Sequence, residues 1–271
     1  MLNLREIHKP TTIEDALKLL QQPGTVALAG GTELIAGARR DVEAVVDLSA
    51  LSLSYIREHN GTIIIGATTT LAELAESPIL RAMANGVLAQ AAHRTAASVL
   101  RNQSTIAGTL IAEPDGVLPV VLLALNAQVT IAQKETRTVP LGDFLLTRER
   151  LLKMALLTEI AVPMANPRAS LQTVARTPSD KPIVSACVTA RIENGIARDV
   201  RIALGGVGQI AVRASAAEKA LEGQALNDAV VENAARLARE GLSPRGDFRG
   251  SVEYRKEMAV VLTRRAVKEL A

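Results

Sequence analysis

The feature that most constrains this chain is the stretch Ala27-Leu28-Ala29-Gly30-Gly31-Thr32-Glu33-Leu34-Ile35: a short apolar run, two glycines, a threonine, and the start of an apolar-periodic segment. It predicts a strand, a tight turn and a helix N-terminus. Glycines at such a junction allow a positive φ and a close approach of backbone to ligand, while the first N–H groups of the helix point outward at its positive end. The combination is a seat for a phosphate. A second glycine-containing turn is expected at Thr105-Ile106-Ala107-Gly108-Thr109-Leu110, and two such turns can clasp one extended dinucleotide.

Composition narrows the alternatives. With 271 residues and 48% of them hydrophobic, the chain has material for a large core and one to three domains. Tyr55, Phe144, Phe248 and Tyr254 are its only aromatics, so the core is built from Leu, Ile, Val and Ala, and stacking platforms for single-stranded nucleic acid are excluded. The net charge of +3 is spread among alternating acids and bases, so no nucleic-acid partner is expected. The longest apolar run, Val117 to Leu125, is well short of the roughly 20 residues a spanning helix needs, and a cytoplasmic location is expected. Cys187 alone cannot form a disulfide or hold a cluster, and its apolar neighbours predict a buried thiol. His8, His59 and His93 lack metal-ligand spacing.

In chain order, Thr11 and Glu14 stand in capping-box spacing ahead of a helix that Pro23-Gly24 stops. Ala44 to Leu48 reads as a buried strand, so this part is β/α. Asn60-Gly61 then marks a hairpin within Ser54 to Ile65. Thr70 and Glu73 form a second capping box, and Ser77-Pro78 opens a helix expected to run to about Ala92. A loop carrying the second glycine turn follows. Leu118 to Leu125 predicts a fully buried helix or strand, with Pro119 early in the run favouring a helix, and strands are expected at Gln128–Ala132, Thr138–Leu141 and Glu159–Val162. Pro163 to Pro167 is a candidate domain boundary. Beyond it lie strands at Leu171–Ala175 and Ile183–Ile192, an Asn194-Gly195 hairpin, a return strand Ile196–Leu204, and helices at Ala214–Leu221, Asp228–Arg239 and Ser251–Leu270. Gly205-Gly206-Val207-Gly208 ends an antiparallel strand without opening a βαβ unit, so it is read as turn chemistry.

Several of these segments together resemble a known family: Ala29-Gly30-Gly31-Thr32-Glu33-Leu34, Val46-Asp47-Leu48, Ile65-Gly66-Ala67-Thr68-Thr69, Arg101 to Gly108, Leu122 to Ala127, Ala203 to Val207 and Tyr254-Arg255. The chain resembles, over essentially its whole length, the FAD-binding medium subunit of molybdenum hydroxylases, the xanthine dehydrogenase and aerobic carbon monoxide dehydrogenase group. The resemblance implies an α+β fold. A two-part FAD-binding domain, with a small β/α subdomain at 1–52 and a mainly antiparallel α/β subdomain at 53–164, precedes a C-terminal antiparallel sheet with helices at 168–271. It also implies electron flow from 2Fe-2S clusters of a small partner, supplied by a molybdenum-cofactor large partner, through FAD to an external acceptor.

Carried over residue by residue, the resemblance implies FAD contacts from Leu28, Ala29, Gly30, Gly31, Thr32, Glu33 and Leu34 in the first turn, and from Thr105, Ala107, Gly108 and Thr109 in the second, with Asp115 and Leu157 on the ring side. No catalytic acid or base and no metal ligand is implied. The ring side departs from the family pattern. Ala107 and Thr109 stand where the family has glycine and asparagine, and Val117 replaces an acid before Leu118-Pro119, with Asp115 the nearest substitute. Ser170 to Thr173 lacks the family's aromatic and lysine. The Ala107 methyl is expected to obstruct a positive φ or a close backbone approach. Two readings follow: a working FAD subunit, and a flavin-poor or flavin-free homologue that serves assembly. A free-standing nicotinamide enzyme is not supported, because no Gly-x-Gly-x-x-Gly opens a helix after a strand.

Overall fold

A computed structural model describes residues 4–37, 40–165, 167–177 and 180–271. Asn166, within the candidate boundary Pro163 to Pro167, lies outside the described residues. The chain forms three sheets, each with its own helices.

The first sheet is parallel, with order β1-β3-β2, formed by β1 (Glu6–His8), β2 (Thr25–Leu28) and β3 (Ala44–Asp47). Helices α1 (Ile13–Leu19) and α2 (Thr32–Ala36) make the crossovers that parallel pairing demands. Helix α1 starts one residue later than the Thr11–Glu14 spacing predicts. Thr12 is the cap, and its hydroxyl accepts from the Asp15 N–H at 3.1 Å, so Asp15 occupies the third helical position. Ala16, Val46, Leu48, Leu51 and Leu53 pack on Leu156 of the next sheet, which closes the seam between the two sheets.

The second sheet is antiparallel, with order β4-β5-β8-β6-β7: β4 (Ile56–His59), β5 (Thr62–Gly66), β6 (Gln128–Ala132), β7 (Arg137–Pro140) and β8 (Leu156–Pro163). Asn60 and Gly61 both have positive φ, which a tight hairpin requires. Between β5 and β6 run α3 (Leu71–Glu76), α4 (Pro78–Ala82), α5 (Val87–Thr95), α6 (Ser98–Arg101), α7 (Ile106–Ala112) and α8 (Val117–Ala124); α9 (Leu141–Leu151) follows β7. Thr70 and Glu73 form the reciprocal capping box, and Ser77 caps α4 with Pro78 at its start. The helix expected to continue to Ala92 breaks after Ala82, because Ala84, Asn85 and Gly86 are all left-handed, at φ 46, 56 and 70°. Every residue of α8 is buried, as its uniform apolarity predicts.

The third sheet, β12-β11-β10-β9, is antiparallel and consists of β9 (Arg168–Val174), β10 (Val184–Glu193), β11 (Ile196–Gly205) and β12 (Val212–Arg213). Helices α10 (Ser215–Leu221), α11 (Asp228–Leu237) and α12 (Val252–Lys268) cover one face. The other face rests on α8. Thr189 Oγ1 donates to the Ala124 carbonyl at 3.0 Å, and the Ala211 N–H donates to the Pro114 carbonyl at 2.7 Å. Cys187 is fully buried in this contact, and burial pushes its thiol pKa up. Among the described residues no single helix is long and apolar enough to cross a membrane.

Candidate functional site

The first bend expected from the sequence lies against Gln103 and Ser104, the residues just before the second expected turn. Strand β2 ends at Leu28, Gly31 takes a left-handed conformation (φ 71°) as the cap of α2, and Thr32 begins that helix. A methyl group built on Gly30 would overlap the Gln103 carbonyl oxygen, so glycine there is a condition of contact with the second segment. Beside it the hydroxyls of Thr32 and Ser104 share a hydrogen bond of 3.2 Å. The second segment is itself pinned: the Leu71 N–H donates to the Ser104 carbonyl at 2.8 Å, and Thr105 bridges to Thr70.

The bends differ in what they offer a ligand. In the first, no acceptor meets the backbone N–H groups of Gly30, Gly31, Thr32, Glu33 or Leu34 among the described residues. Leu28, Ala29, Gly30, Gly31, Thr32 and Leu34 are half-buried and Glu33 is exposed. In the second, the N–H groups are spent. Ile106 donates to Thr69 O at 2.9 Å, Ala107 to Ala67 O at 3.2 Å, Gly108 to Thr105 Oγ1 at 3.2 Å, and Thr109 to Thr105 O at 2.9 Å. The expected glycine turn is therefore a capped helix, α7. Ala107 sits inside it, buried, with no positive φ for its methyl to obstruct, and this corrects the expectation from the sequence. Gly108 is also helical; a Cβ there would come within 2.9 Å of the capping Thr105 hydroxyl. Thr105 and Thr109 are buried.

On the ring side, Asp115 and Glu113 both face Lys181, with Nζ at 3.7 Å from Asp115 Oδ1 and 3.6 Å from Glu113 Oε2. Burial raises the Glu113 pKa; Lys181 pulls it down, and Asp115 and Glu33 push it up, which ties the first bend electrostatically to this cluster. Thr95, Glu113, Asp115, Gly116, Val117, Lys181, Pro182 and Ser185 enclose a gap of about 10 Å³. Lys181 is a residue that the sequence reading missed. It stands 66 positions from Asp115 in sequence, and only the fold brings the two together. Leu157 is buried in the main core of the second sheet, opposite Ile131. Ser170 and Gln172, which replace the family's expected aromatic and lysine strand, bind the Glu269 carboxylate through Ser170 Oγ at 2.6 Å and Gln172 Nε2 at 2.7 Å.

Residues 3–165 match the family described as FAD binding domain in molybdopterin dehydrogenase. The chain belongs to that family. Residues 169–270 match a second, described as CO dehydrogenase flavoprotein C-terminal domain. Among curated relatives, the chain is 31% identical to the glyceraldehyde dehydrogenase medium chain of Sulfolobus acidocaldarius, covering 96% of each chain. It is also 31% identical to the carbon monoxide dehydrogenase medium chain of Hydrogenophaga pseudoflava, covering 97% of this chain and 95% of that one. Its fold is that of the carbon monoxide dehydrogenase structure from Hydrogenophaga pseudoflava, at TM-score 0.91 and 32% identity over 97% of this chain and 96% of that chain. Quinoline 2-oxidoreductase from Pseudomonas putida 86 follows at TM-score 0.90 and 26% identity over 98% and 96%. The expected α+β architecture and the FAD assignment are thus borne out.

The first bend fits such a group. Its orphaned N–H groups at a helix start are donors in search of an anion, and its half-buried backbone leaves them reachable.

Proposed function

We propose that this subunit seats FAD with the pyrophosphate on the Gly30–Leu34 backbone and the remainder of the cofactor along the second segment, in a complex with a 2Fe-2S small subunit and a molybdenum-cofactor large subunit. The observation that carries the reading is the contact between the bends, Gly30 on Gln103 and Thr32 on Ser104, beside the unpaired N–H groups. In this arrangement Gly30, Gly31 and Thr32 donate to phosphate oxygens, while Leu28, Ala29, Glu33 and Leu34 shape the strand-to-helix passage. Thr105, Ala107, Gly108 and Thr109 form the capped start of α7 that follows Gln103 and Ser104, and with their N–H groups already bonded the last three contribute shape in place of amide donors. Asp115, ion-paired with Lys181 at 3.7 Å, is assigned to the ring end, while Leu157 is buried in the core of the second sheet.

FAD, when bound, supplies the redox chemistry. The protein's own part is to hold the diphosphate, orient the ring and exclude water. The divisions 1–52, 53–164 and 168–271 assign one sheet to each part, and the family matches at 3–165 and 169–270 support that reading. Names of relatives support the assembly: they are medium chains, and one is subunit alpha of a 6-hydroxypseudooxynicotine dehydrogenase complex. The test is the visible spectrum of the purified chain. Oxidised-flavin bands in stoichiometric amount are expected. A colourless chain that does not take up added FAD would overturn the reading and leave the assembly role.

A further inference from the structure

The Gly205-Gly206 bend that ends β11, turn chemistry by its sequence, meets the segment Glu113 to Gly116 between α7 and α8. A Cβ on Gly205 would lie 2.5 Å from the Asp115 carbonyl oxygen, and one on Gly206, where φ is 73°, would overlap the Ile183 carbonyl oxygen. Three grips therefore run from the C-terminal sheet to this segment. Gly205 lies against the Asp115 backbone, the Ala211 N–H donates to the Pro114 carbonyl at 2.7 Å, and Lys181 Nζ faces the carboxylates of both Glu113 and Asp115. Resting on the reading above, in which Asp115 is assigned to the ring end, we propose that Lys181 is a cation that raises the reduction potential of the flavin, and that Arg255 is its positioning residue, holding Lys181 against Asp115 from inside the C-terminal half.

Arg255 is only 4% exposed, and its guanidinium is spent on the backbone around Lys181 and Gly205. Nη1 donates to the Ile183 carbonyl at 2.6 Å and to the Gly206 carbonyl at 2.9 Å, and Nη2 donates to Asp247 Oδ1 at 2.9 Å. Asp247 is fixed in turn by the N–H groups of Arg249 at 2.9 Å and Gly250 at 3.1 Å. One planar fork thus refers two segments to a single point. Ile183 stands two positions after Lys181, and Gly206 is next to the glycine that touches Asp115, so both members of the Lys181–Asp115 pair are set by the same buried group. The lysine stem is flexible, and where its backbone starts decides which carboxylates the ammonium reaches. A cation near the ring favours the electron-rich reduced form, and removing it leaves two carboxylates uncompensated. The pair is partly open to solvent, which keeps the effect modest.

The test measures the reduction potential of the full-length, FAD-loaded chain by equilibration with a reference dye, together with its flavin content. In Lys181→Met the ratio of reduced to oxidised flavin at a fixed dye potential is expected to fall about tenfold, equivalent to about 30 mV for a two-electron couple. Lys181→Arg should keep most of the parent value. Arg255→Lys retains a charge beside Asp247 but loses the fork. It should lower the potential in the parent and add nothing in Lys181→Met, because it acts through that residue. A purely structural role would lower the melting temperature and leave the potential in place. Should Arg255→Lys not fold, Asp247→Asn loosens the same guanidinium and must show the same coupling. A loaded chain whose potential ignores Lys181→Met, or in which the two substitutions shift it additively, overturns the proposal and leaves the phosphate seat standing. A chain that neither carries nor takes up FAD overturns both.

Discussion

The hydroxyls of Thr32 and Ser104, separated by 72 positions in the chain, meet at 3.2 Å and join the Gly30-Gly31 bend to the segment that leads into α7. That bond ties the first sheet to the helices of the second, so the proposed flavin seat requires both to be folded and docked. Residue 30 is where the docking tolerates least change.

Gly30→Ala places a methyl on the Gln103 carbonyl oxygen, which is backbone and cannot swing away. The bends must part, at an overpacking cost of about 1–3 kcal/mol. Flavin content per chain, read from absorbance, is expected to fall about tenfold, with a melting temperature lowered by only a few degrees.

Gly31 has φ 71°, a conformation that asparagine tolerates far better than most residues. Gly31→Asn therefore keeps the turn, and Gly31→Asp adds a negative charge to much the same shape where a diphosphate would lie. Flavin retention should be abolished in the Asp variant and largely kept in the Asn variant. Equal retention in the two would remove the phosphate from this bend.

Ala107→Gly, by the family pattern, restores a glycine. Because residue 107 is helical and buried, the expected result is a destabilisation of about 1 kcal/mol in denaturant titration with no gain in FAD affinity. Tighter FAD binding in that variant would mean that the α7 start opens into a turn when the cofactor enters.

Lys181→Met leaves Glu113 and Asp115 facing each other without their cation. Burial already raises the Glu113 pKa above the ordinary 4.5. A carboxyl whose folded pKa is raised favours the fold at low pH, and that contribution fades as pH climbs through the folded value. Removing the cation raises the folded value further. The stability gap between the variant and the parent should accordingly be small near pH 4 and grow toward neutrality, a trend that unfolding curves at a series of pH values would measure.

Much of this architecture is legible in the sequence where a local chemical rule acts alone. Asn60-Gly61 and Asn194-Gly195 can supply positive φ and do so. Thr70 with Glu73 and Ser77 with Pro78 cap as their spacing requires, and α8 is apolar on every side because every side is covered. The misses lie where tertiary contacts override local signals. Three successive left-handed residues at 84–86 break a pattern whose periodicity runs on, and Asn85 there reaches the Ala169 carbonyl on β9. Thr105 to Thr109 reads as a glycine turn because Gly108 is prominent, yet that glycine serves to leave room for the Thr105 cap. At the site, the first bend is visible in nine consecutive residues, whereas Lys181 carries no local signature and only the fold brings it to Asp115.

Helix α8 is held from both directions, by the second sheet's core and by the β10–β11 face through Thr189 and Cys187. No cut in the chain near residue 165 can separate a stable cofactor half from a stable C-terminal half, because either fragment would expose an oily surface that the other was shaped to cover. Grafting the C-terminal part of one relative onto the cofactor part of another should therefore fail unless α8 and its seat travel together, and these two regions are expected to have diverged in concert.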